Sequence, residues 1–303
     1  MSGERVLDLF CGAGGLSYGF SKMGFKVLGV DRLPVVPSIY QSNRLGEGKV
    51  NNLYRYTEDG GADVVVGGPP CRPWSAINTV RRRGKHGNYK LLGRFVTHVV
   101  ENKPKAFLME NVPPAKGDIV RVVSRLAKKG YDLSSQVVTY SDFGAATSRR
   151  RLMVFGLRKG DASRFFEELK EYRKSARTVR EAIGHLKSSS GPPDPDNVFP
   201  QLRTIDRYIP YYESGKYGWS VLNWDKPAPS FGNVMKTYTL HPSALDGEPP
   251  RVITVKEALL LMGFPEAYSF PPGMGMALRY QMVVDSVSPC FSDAAARAMA
   301  RFL

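Results

Sequence analysis

The chain alternates short runs of β-branched and apolar residues with longer amphipathic stretches from Arg5 to about Leu157. This alternation is typical of a mostly parallel sheet that carries helices on both faces. The predicted strands are residues 6–10, 26–30, 64–66, 107–109, 135–140 and 152–155. We therefore expect an α/β fold in which ligands bind at the carboxyl ends of the strands.

The pattern changes after Arg158. Helices are predicted at 161–173 and 179–186, and a cluster of serine, glycine and proline at 188–195 marks a loop or a domain boundary. Residues 201–245 are rich in tyrosine, lysine and arginine with little periodicity, which favours an irregular lobe. Two further helices are predicted at 254–262 and 292–302. We therefore divide the chain into residues 1–157, 158–265 (named the second lobe) and 266–303.

Charge and cysteine content narrow the class of protein. Lys and Arg number 43 against 28 Asp and Glu, a formal net charge of +15, which favours a polyanionic partner such as a nucleic acid. No apolar run approaches the roughly 20 residues of a membrane-spanning helix, and no signal peptide precedes the first strand, so we expect a cytoplasmic protein. Cys11, Cys71 and Cys290 form no pattern typical of a zinc site or a disulfide framework, so we expect free thiols and no metal.

A glycine-rich turn follows the first predicted strand. Cys11-Gly12-Ala13-Gly14-Gly15 comes directly after Phe10, and Asp31 lies about 20 residues further on, a spacing typical of nucleoside-binding folds. The next glycine is Gly19, which breaks the three-glycine dinucleotide pattern and counts against a nicotinamide dehydrogenase. The turn predicts a nucleoside site, and a plain glycine turn is the alternative.

The run Gly67-Gly68-Pro69-Pro70-Cys71 follows the apolar stretch 64–66. It predicts a buried strand that ends in a rigid turn and presents one thiol at the carboxyl edge of the sheet, where a nucleophile is useful. A cysteine that only fills the core is the alternative. The position directly after two prolines favours the nucleophile.

Further charged residues are expected at the same edge. Glu110 follows the apolar strand 107–109 directly, which favours an acid beside Cys71 over an ordinary surface glutamate. At the start of another strand, alternation places Arg149 and Arg151 on one face and Arg150 on the other. The alternative for these arginines is a solvated basic run.

Two basic segments are candidates for contact with phosphates and bases. The first is the loop 80–87, which is punctuated by glycine and follows Cys71 in the chain. The second is 201–245, which combines basic and aromatic side chains. A solvated loop and a small aromatic core are the respective alternatives.

Together, the glycine turn, the Pro-Pro-Cys run, Glu110-Asn111-Val112 and the paired arginines resemble the DNA cytosine-C5 methyltransferase family in its compact restriction-modification form. The resemblance extends over nearly the whole chain and includes Arg251-Val252-Ile253-Thr254 and Gly263-Phe264-Pro265. It implies a Rossmann-like class I methyltransferase sheet with a smaller, irregular target-recognition domain. Residues 1–157 would form the catalytic and cofactor-binding domain, 158–265 the target-recognition domain, and 266–303 a segment that returns to the catalytic domain.

The resemblance also implies a reaction. S-adenosylmethionine is the expected methyl donor, and a cytosine flipped out of double-stranded DNA is the expected acceptor. Cytosine C5 is a poor nucleophile until a thiolate adds to C6, so Cys71 is the implied nucleophile. Glu110 is the implied acid at N3, and Arg149 and Arg151 are implied to hold O2 and the charges of the pocket. We expect a monomer, with a cognate restriction endonuclease as a candidate partner.

Matching positions in the family imply two further sets of residues. The implied cofactor-binding residues are Phe10, Gly12, Ala13, Gly14, Asp31, Arg32, Asn52, Pro69, Leu91, Ser286 and Val287. The implied DNA-binding residues are Arg72, Ser75, Arg81, Arg82, Arg83, Lys85, Arg203, Lys216 and Lys236. Among the first set, Phe10 is implied to stack beside the adenine and Asp31 to hold the ribose hydroxyls.

Some positions depart from the family pattern, among them Arg72, Asn52, Thr147 and Asp285. Asp285 adds a negative charge beside the methionine part of the cofactor, so we expect it to change cofactor affinity. The closest alternative function is a tRNA cytosine-C5 methyltransferase, although the second lobe lacks the Cys-Phe-Thr signature of that branch. An amino-group DNA methyltransferase would carry an aromatic residue after Pro-Pro, and a DNA-binding protein with an inactive methyltransferase fold should lack the cysteine or the glutamate.

Overall fold

The computed structural model describes residues 3–56, 61–72, 74, 88–186, 194–200, 205–214 and 219–303. Several residues that the sequence predicts to bind DNA lie outside these ranges, namely Ser75, Arg81, Arg82, Arg83, Lys85, Arg203 and Lys216. Their assignment stays a prediction.

The described strands build one large sheet from β1 (Arg5–Leu9), β2 (Lys26–Asp31), β3 (Glu47–Val50), β4 (Val64–Gly67), β5 (Ala106–Asn111), β6 (Asp132–Thr139) and β7 (Arg150–Leu157). Their order is β3-β2-β1-β4-β5-β7-β6, and only β7 runs antiparallel to its neighbours. This confirms the predicted α/β, Rossmann-like sheet. The hydrophobic pattern does not predict β3, because this edge strand is mostly exposed and carries Glu47 and Lys49.

Helices cover both faces of the sheet. In the described part of the chain they are α1 (Gly15–Lys22), α2 (Val36–Ser42), α3 (Tyr89–Asn102), α4 (Lys116–Val123), α5 (Ser163–Lys170), α6 (Val179–Ile183), α7 (Ile209–Glu213), α8 (Val255–Leu261), α9 (Met276–Asp285) and α10 (Pro289–Met299). Side chains of β5 alternate between two hydrophobic clusters, with Leu108 in one and Phe107 and Met109 in the other. The sheet is therefore buried on both faces, as its continuous apolar strands predict.

The C-terminal helix α10 packs closely against α1. The Ser292 Oγ accepts a hydrogen bond of 2.9 Å from the Gly19 amide, and a Cβ atom at residue 19 would lie 2.2 Å from the backbone of Ser292. Glycine is therefore required at this crossing. The helix predicted at 292–302 begins earlier, at Pro289, because proline suits the first turn of a helix, and it ends at Met299.

Between α6 and α8, the described regular elements of the second lobe are short. A short parallel pair joins β8 (Ser220–Val221) to β9 (Thr239–Leu240). Capping boxes begin α6 and α8, with Thr178 and Glu181 at the first and Thr254 and Glu257 at the second. The predicted domain boundaries at 157 and 265 stay predictions.

One segment of the second lobe joins the chain directly before β7. The Ala228 amide donates to the Ala146 carbonyl, and the Ser148 amide donates to the Ala228 carbonyl, each at 2.8 Å. These bonds form a parallel bridge at Thr147. The second lobe is thus hydrogen-bonded to the backbone that leads into the two predicted arginines.

A buried polar cluster links β1 to the helices on one face of the sheet. The Ser17 Oγ donates to Asp8 Oδ2 at 2.7 Å and lies 2.7 Å from the Tyr40 hydroxyl. Burial raises the pKa of Asp8 to about 7, although the hydrogen bond from Ser17 opposes this shift. A carboxyl group next to the glycine turn therefore titrates near neutral pH.

This carboxyl group makes stability depend on pH. Because its pKa is near 4 in an unfolded chain and about 7 in the folded protein, the native state becomes less stable as pH rises from about 4 to about 7. The Asp8→Asn variant has no ionisable group at this position, so its stability lacks this dependence on pH. We expect the stability of the wild type relative to this variant to fall by about 4 kcal/mol over that window, measured by urea unfolding. Parallel stability curves for the two proteins would contradict the assignment.

Candidate active site

The turn that carries Cys71 is fixed to the end of the neighbouring strand. Asn111 Nδ2 donates to the Pro69 carbonyl at 2.9 Å, and the Trp74 amide donates to the Cys71 carbonyl at 2.9 Å. A Cβ atom at Gly68 would lie 2.9 Å from Glu110 Oε2, so only glycine lets the carboxylate come this close. The half-buried Cys71 is therefore held beside Glu110, at the carboxyl edge of β4 and β5.

A contact with α4 anchors the chain beyond Cys71. The Trp74 indole is almost fully buried, and its Nε1 donates to Asp118 Oδ2 at 2.7 Å. The Tyr89 hydroxyl, at the start of α3, donates to the other oxygen of Asp118 at 3.2 Å. Sequence reasoning did not identify Trp74, Asp118 or Asn111 as supporting residues. Of the three, only Asn111 could have been found from the sequence, because it follows the predicted acid Glu110 directly.

The predicted acid and one predicted arginine form a buried ion pair. Arg151 Nε lies 2.8 Å from Glu110 Oε1, and the two residues are 9% and 8% exposed. Arg149 and Arg151 are buried and Arg150, which lies between them in the sequence, is exposed, so the predicted alternation along β7 is confirmed. Burial raises the pKa of Glu110, while Arg151 and Arg149 oppose the shift and Asp285 adds to it. Glu110 is thus a carboxyl group that takes up a proton more readily than one in water.

Arg149 connects the site to two other parts of the chain. Its Nη2 donates to the Val284 carbonyl at the end of α9, and its Nη1 reaches Ser230 Oγ at 3.4 Å and the Phe231 carbonyl at 3.5 Å. Burial, followed by repulsion from Arg151, lowers the pKa of Arg149 to about 10. The side chain is still a cation at neutral pH, and its buried Nε has no hydrogen-bond partner in the described part of the chain.

The electrostatic surroundings of Cys71 oppose its ionisation. Burial raises the pKa of the thiol, the charges of Glu110 and Asp285 raise it further, and the two arginines Arg151 and Arg149 oppose the rise. The thiol is therefore protonated at neutral pH in this state of the protein. A ligand that neutralised Glu110, or brought positive charge, would favour the thiolate.

The glycine turn after β1 has the form of a small-molecule cradle. Gly12 has a φ of +49°, and a Cβ atom there would meet nothing within 4 Å, so the turn is open on that side. At Gly14, by contrast, a Cβ atom would lie 2.4 Å from Leu45. Asp31 Oδ2 accepts from the Gly12 amide at 3.2 Å, and Oδ1 accepts from the Leu33 amide at 3.1 Å. The open turn leaves space for a nucleoside, and the Asp31 carboxylate beside it is suited to accept hydrogen bonds from ribose hydroxyls.

The C-terminal segment reaches the same cradle. A Cβ atom at Gly15 would lie 2.1 Å from both Ser286 Oγ and the Val287 carbonyl. The structure thus brings Ser286 and Val287 to the glycine turn. Of the other predicted cofactor residues, Ala13, Pro69 and Leu91 are buried, Phe10 is half-buried with a positive φ of 61°, and Arg32 and Asn52 are exposed.

Two of the predicted DNA-binding residues lie in the described ranges. Arg72 is exposed directly after Cys71, and Lys236 is exposed in the second lobe. Within the ranges described, no helix is long and apolar enough to cross a membrane. The same residues contain no group of three or more His, Cys, Asp or Glu side chains that could hold a metal ion.

Comparisons with known proteins identify the family. The C-5 cytosine-specific DNA methylase family matches residues 4–301. The chain is 29% identical to the Type II methylase M.HgiDII of Herpetosiphon aurantiacus, over 88% of this chain and 86% of that protein. It is 27% identical to the Type II methyltransferase M1.HphI of Haemophilus parahaemolyticus, over 97% of this chain and 86% of that protein.

A solved structure confirms the fold. It is described as a DNA modification methyltransferase encoded within an Escherichia coli prophage, and it superposes with a TM-score of 0.76 at 22% identity over 99% of both chains. With the family match over nearly the whole chain, the protein belongs to the C-5 cytosine-specific DNA methylase family and is a DNA cytosine-5 methyltransferase.

The charges around Cys71 predict how its reactivity changes with pH. Alkylation by iodoacetamide, followed on the Cys71 peptide by mass spectrometry, should show a midpoint above the value of about 8.5 that is typical of a free thiol. Glu110→Gln should lower this midpoint, because it removes a nearby negative charge, and Arg151→Gln should raise it. Cys290 in the same digest is the internal control. Shifts in the same direction for both variants would contradict the described electrostatics.

Proposed function

We propose that this protein transfers a methyl group from S-adenosylmethionine to C5 of a cytosine that is flipped out of a specific double-stranded DNA sequence. The observation that carries the proposal is the meeting of Cys71, Glu110 and Arg151 at one edge of the sheet, with the Glu110–Arg151 pair at 2.8 Å. The open glycine turn lies at the carboxyl end of β1, the strand that pairs with β4. The family match supports cytosine C5 as the reacting atom.

The first step is loss of the Cys71 thiol proton to solvent and addition of the resulting thiolate to C6 of the cytosine. The new S–C6 bond pushes the electron pair of the C5–C6 double bond towards N3 and O2. Glu110 would donate a proton at N3, and its raised pKa suits this task. The cationic Arg149 and Arg151 would stabilise the charge at O2. Protonation of N3 then leaves C5 as an enamine carbon that can attack an electrophile.

The second step makes the C5–methyl bond. S-adenosylmethionine would supply an electrophilic methyl group and leave as the neutral thioether S-adenosylhomocysteine when its S–methyl bond breaks. The residues that would hold the donor are Phe10, Gly12, Gly14, Asp31, Ser286 and Val287. A base from solvent then removes the proton at C5, N3 returns its proton to Glu110, and the S–C6 bond breaks. The released Cys71 thiolate takes up a proton from solvent. The thiolate is favoured in this scheme while Glu110 still carries its proton, because a protonated carboxyl group lacks the negative charge that opposes ionisation of Cys71.

The target would be chosen by the second lobe together with the residues next to Cys71. Arg72 and Lys236 are exposed and cationic, as contact with phosphates requires. The second lobe also contacts Arg149 through Ser230 and Phe231, so hydrogen bonds join the lobe that would read DNA to one of the residues that would react. We also propose that the protein acts as a monomer and that a cognate restriction endonuclease recognises the same DNA site.

Methylation assays test the nucleophile and the substrate together. Bisulfite sequencing of random-sequence duplex DNA, with a tRNA pool treated in parallel, should show protected cytosines in one DNA context. Cys71→Ser should abolish protection, because a serine hydroxyl ionises far less readily than a thiol. Glu110→Gln should reduce the rate by about a hundredfold or more.

Cys290→Ser is the matched control for that assay, because Cys290 packs against Gly263 outside the site. It should methylate like the wild type. Protection confined to tRNA would establish the alternative RNA substrate, and full activity of Cys71→Ser would refute the proposed mechanism.

Cofactor binding can be tested without catalysis. Asp31→Asn removes the charge that is held between the Gly12 and Leu33 amides. We expect it to weaken S-adenosylmethionine and S-adenosylhomocysteine equally, by about tenfold, because both carry the same ribose. Isothermal titration calorimetry measures this, with the exposed Glu171→Gln as control. Unchanged affinity for both nucleosides would place the ribose elsewhere.

A further inference from the structure

Asp285 lies at the junction of two parts of the site. It is the last residue of α9 and is exposed. The carbonyl of the preceding residue, Val284, accepts a hydrogen bond from Arg149. The hydroxyl of the following residue, Ser286, lies against Gly15 in the glycine turn. Asp285 is therefore placed between the arginine of the reaction centre and the cradle proposed for the methyl donor.

The carboxylate of Asp285 is held in position. Gln281 Nε2 donates to Asp285 Oδ2 at 2.8 Å, and Gln281 Oε1 accepts from Asn233 Nδ2 at 3.2 Å. Asn233 is buried, donates to the Ala277 carbonyl at 3.1 Å and accepts from the Met235 amide at 3.0 Å. In the described part of the chain, the second oxygen, Asp285 Oδ1, has no hydrogen-bond partner. One oxygen is fixed and the other is available to a ligand.

The negative charge of Asp285 acts on two of the reacting groups, Cys71 and Glu110. It raises the pKa of both Cys71 and Glu110, so the carboxylate lies within electrostatic range of the sulfur that attacks C6. The methyl group must reach C5, which is bonded to C6. A donor sulfur in position to react therefore lies in the field of the same carboxylate.

We propose that Asp285 is a binding group for the sulfonium centre of the methyl donor and makes the site prefer the charged donor over its neutral thioether product. This inference rests on the proposed function. The donor carries a positive charge on sulfur and the product does not, so a fixed carboxylate attracts only the donor. An asparagine of the same shape would hold the hydrogen bond network but would attract neither. The preference would help the spent product to leave the site.

The test compares two ligands in two proteins. Isothermal titration calorimetry without DNA gives the Kd of S-adenosylmethionine and of S-adenosylhomocysteine for the wild type and for Asp285→Asn. We expect the variant to bind S-adenosylmethionine about fivefold more weakly and S-adenosylhomocysteine unchanged, as suits one solvent-exposed charge pair. Raising the salt concentration should reduce the preference of the wild type and leave that of the variant unchanged.

Glu171→Gln removes one exposed carboxylate that is distant from Asp285 in the sequence. This variant controls for the change in net charge. Equal weakening of both nucleosides would overturn the inference, because it would place the α-ammonium group, common to both, against Asp285. Unchanged binding of both would overturn it too. If the wild type bound neither nucleoside while remaining folded by circular dichroism, the proposed function itself would fail, and the inference with it.

Discussion

The register of three neighbouring strands decides which side chains meet. β5 pairs in parallel with β4, with Gly67 opposite Met109, and antiparallel with β7, with Glu110 opposite Met153. The turns after β4 and β5 therefore leave the sheet at the same edge at which β7 begins. A slip of one residue in β7 would turn Arg151 away from Glu110 and bring Arg150 in its place. The reacting groups depend on this pairing more than on any single contact.

The balance of charge at that edge follows from the same geometry. Two cationic side chains, Arg149 and Arg151, face two carboxyl groups, Glu110 and Asp285, and one thiol. Burial strengthens the interactions among Glu110, Arg149 and Arg151 because less water screens them, whereas Asp285 is exposed. Burial, together with the charges of Glu110 and Asp285, outweighs the two arginines, so the pKa of Cys71 stays raised until ligands alter the balance. Ligand binding therefore favours the thiolate form of Cys71, whereas the ligand-free protein favours the thiol.

Much of the sheet could be predicted from the sequence because its strands are buried on both faces and read as short β-branched runs. The exposed strand β3 has no such signal. The placement of Cys71 and Glu110 followed from their positions directly after predicted strands, and that of Arg149 and Arg151 from alternation. The support given by Asp118, 44 residues from Trp74, and by Val284, 135 residues from Arg149, could not be predicted, because nothing local marks contacts between distant segments.

The most direct test of the covalent mechanism is to trap the bond between Cys71 and C6. A duplex with 5-fluorocytosine at the methylated position cannot lose a proton from C5, so the adduct should persist after methyl transfer. We predict a denaturation-resistant complex that forms only with S-adenosylmethionine, and whose digest yields the Cys71 peptide joined to the nucleotide by mass spectrometry. A complex formed through another residue, or methylation of ordinary cytosine with no trapped complex, would contradict a covalent mechanism through Cys71.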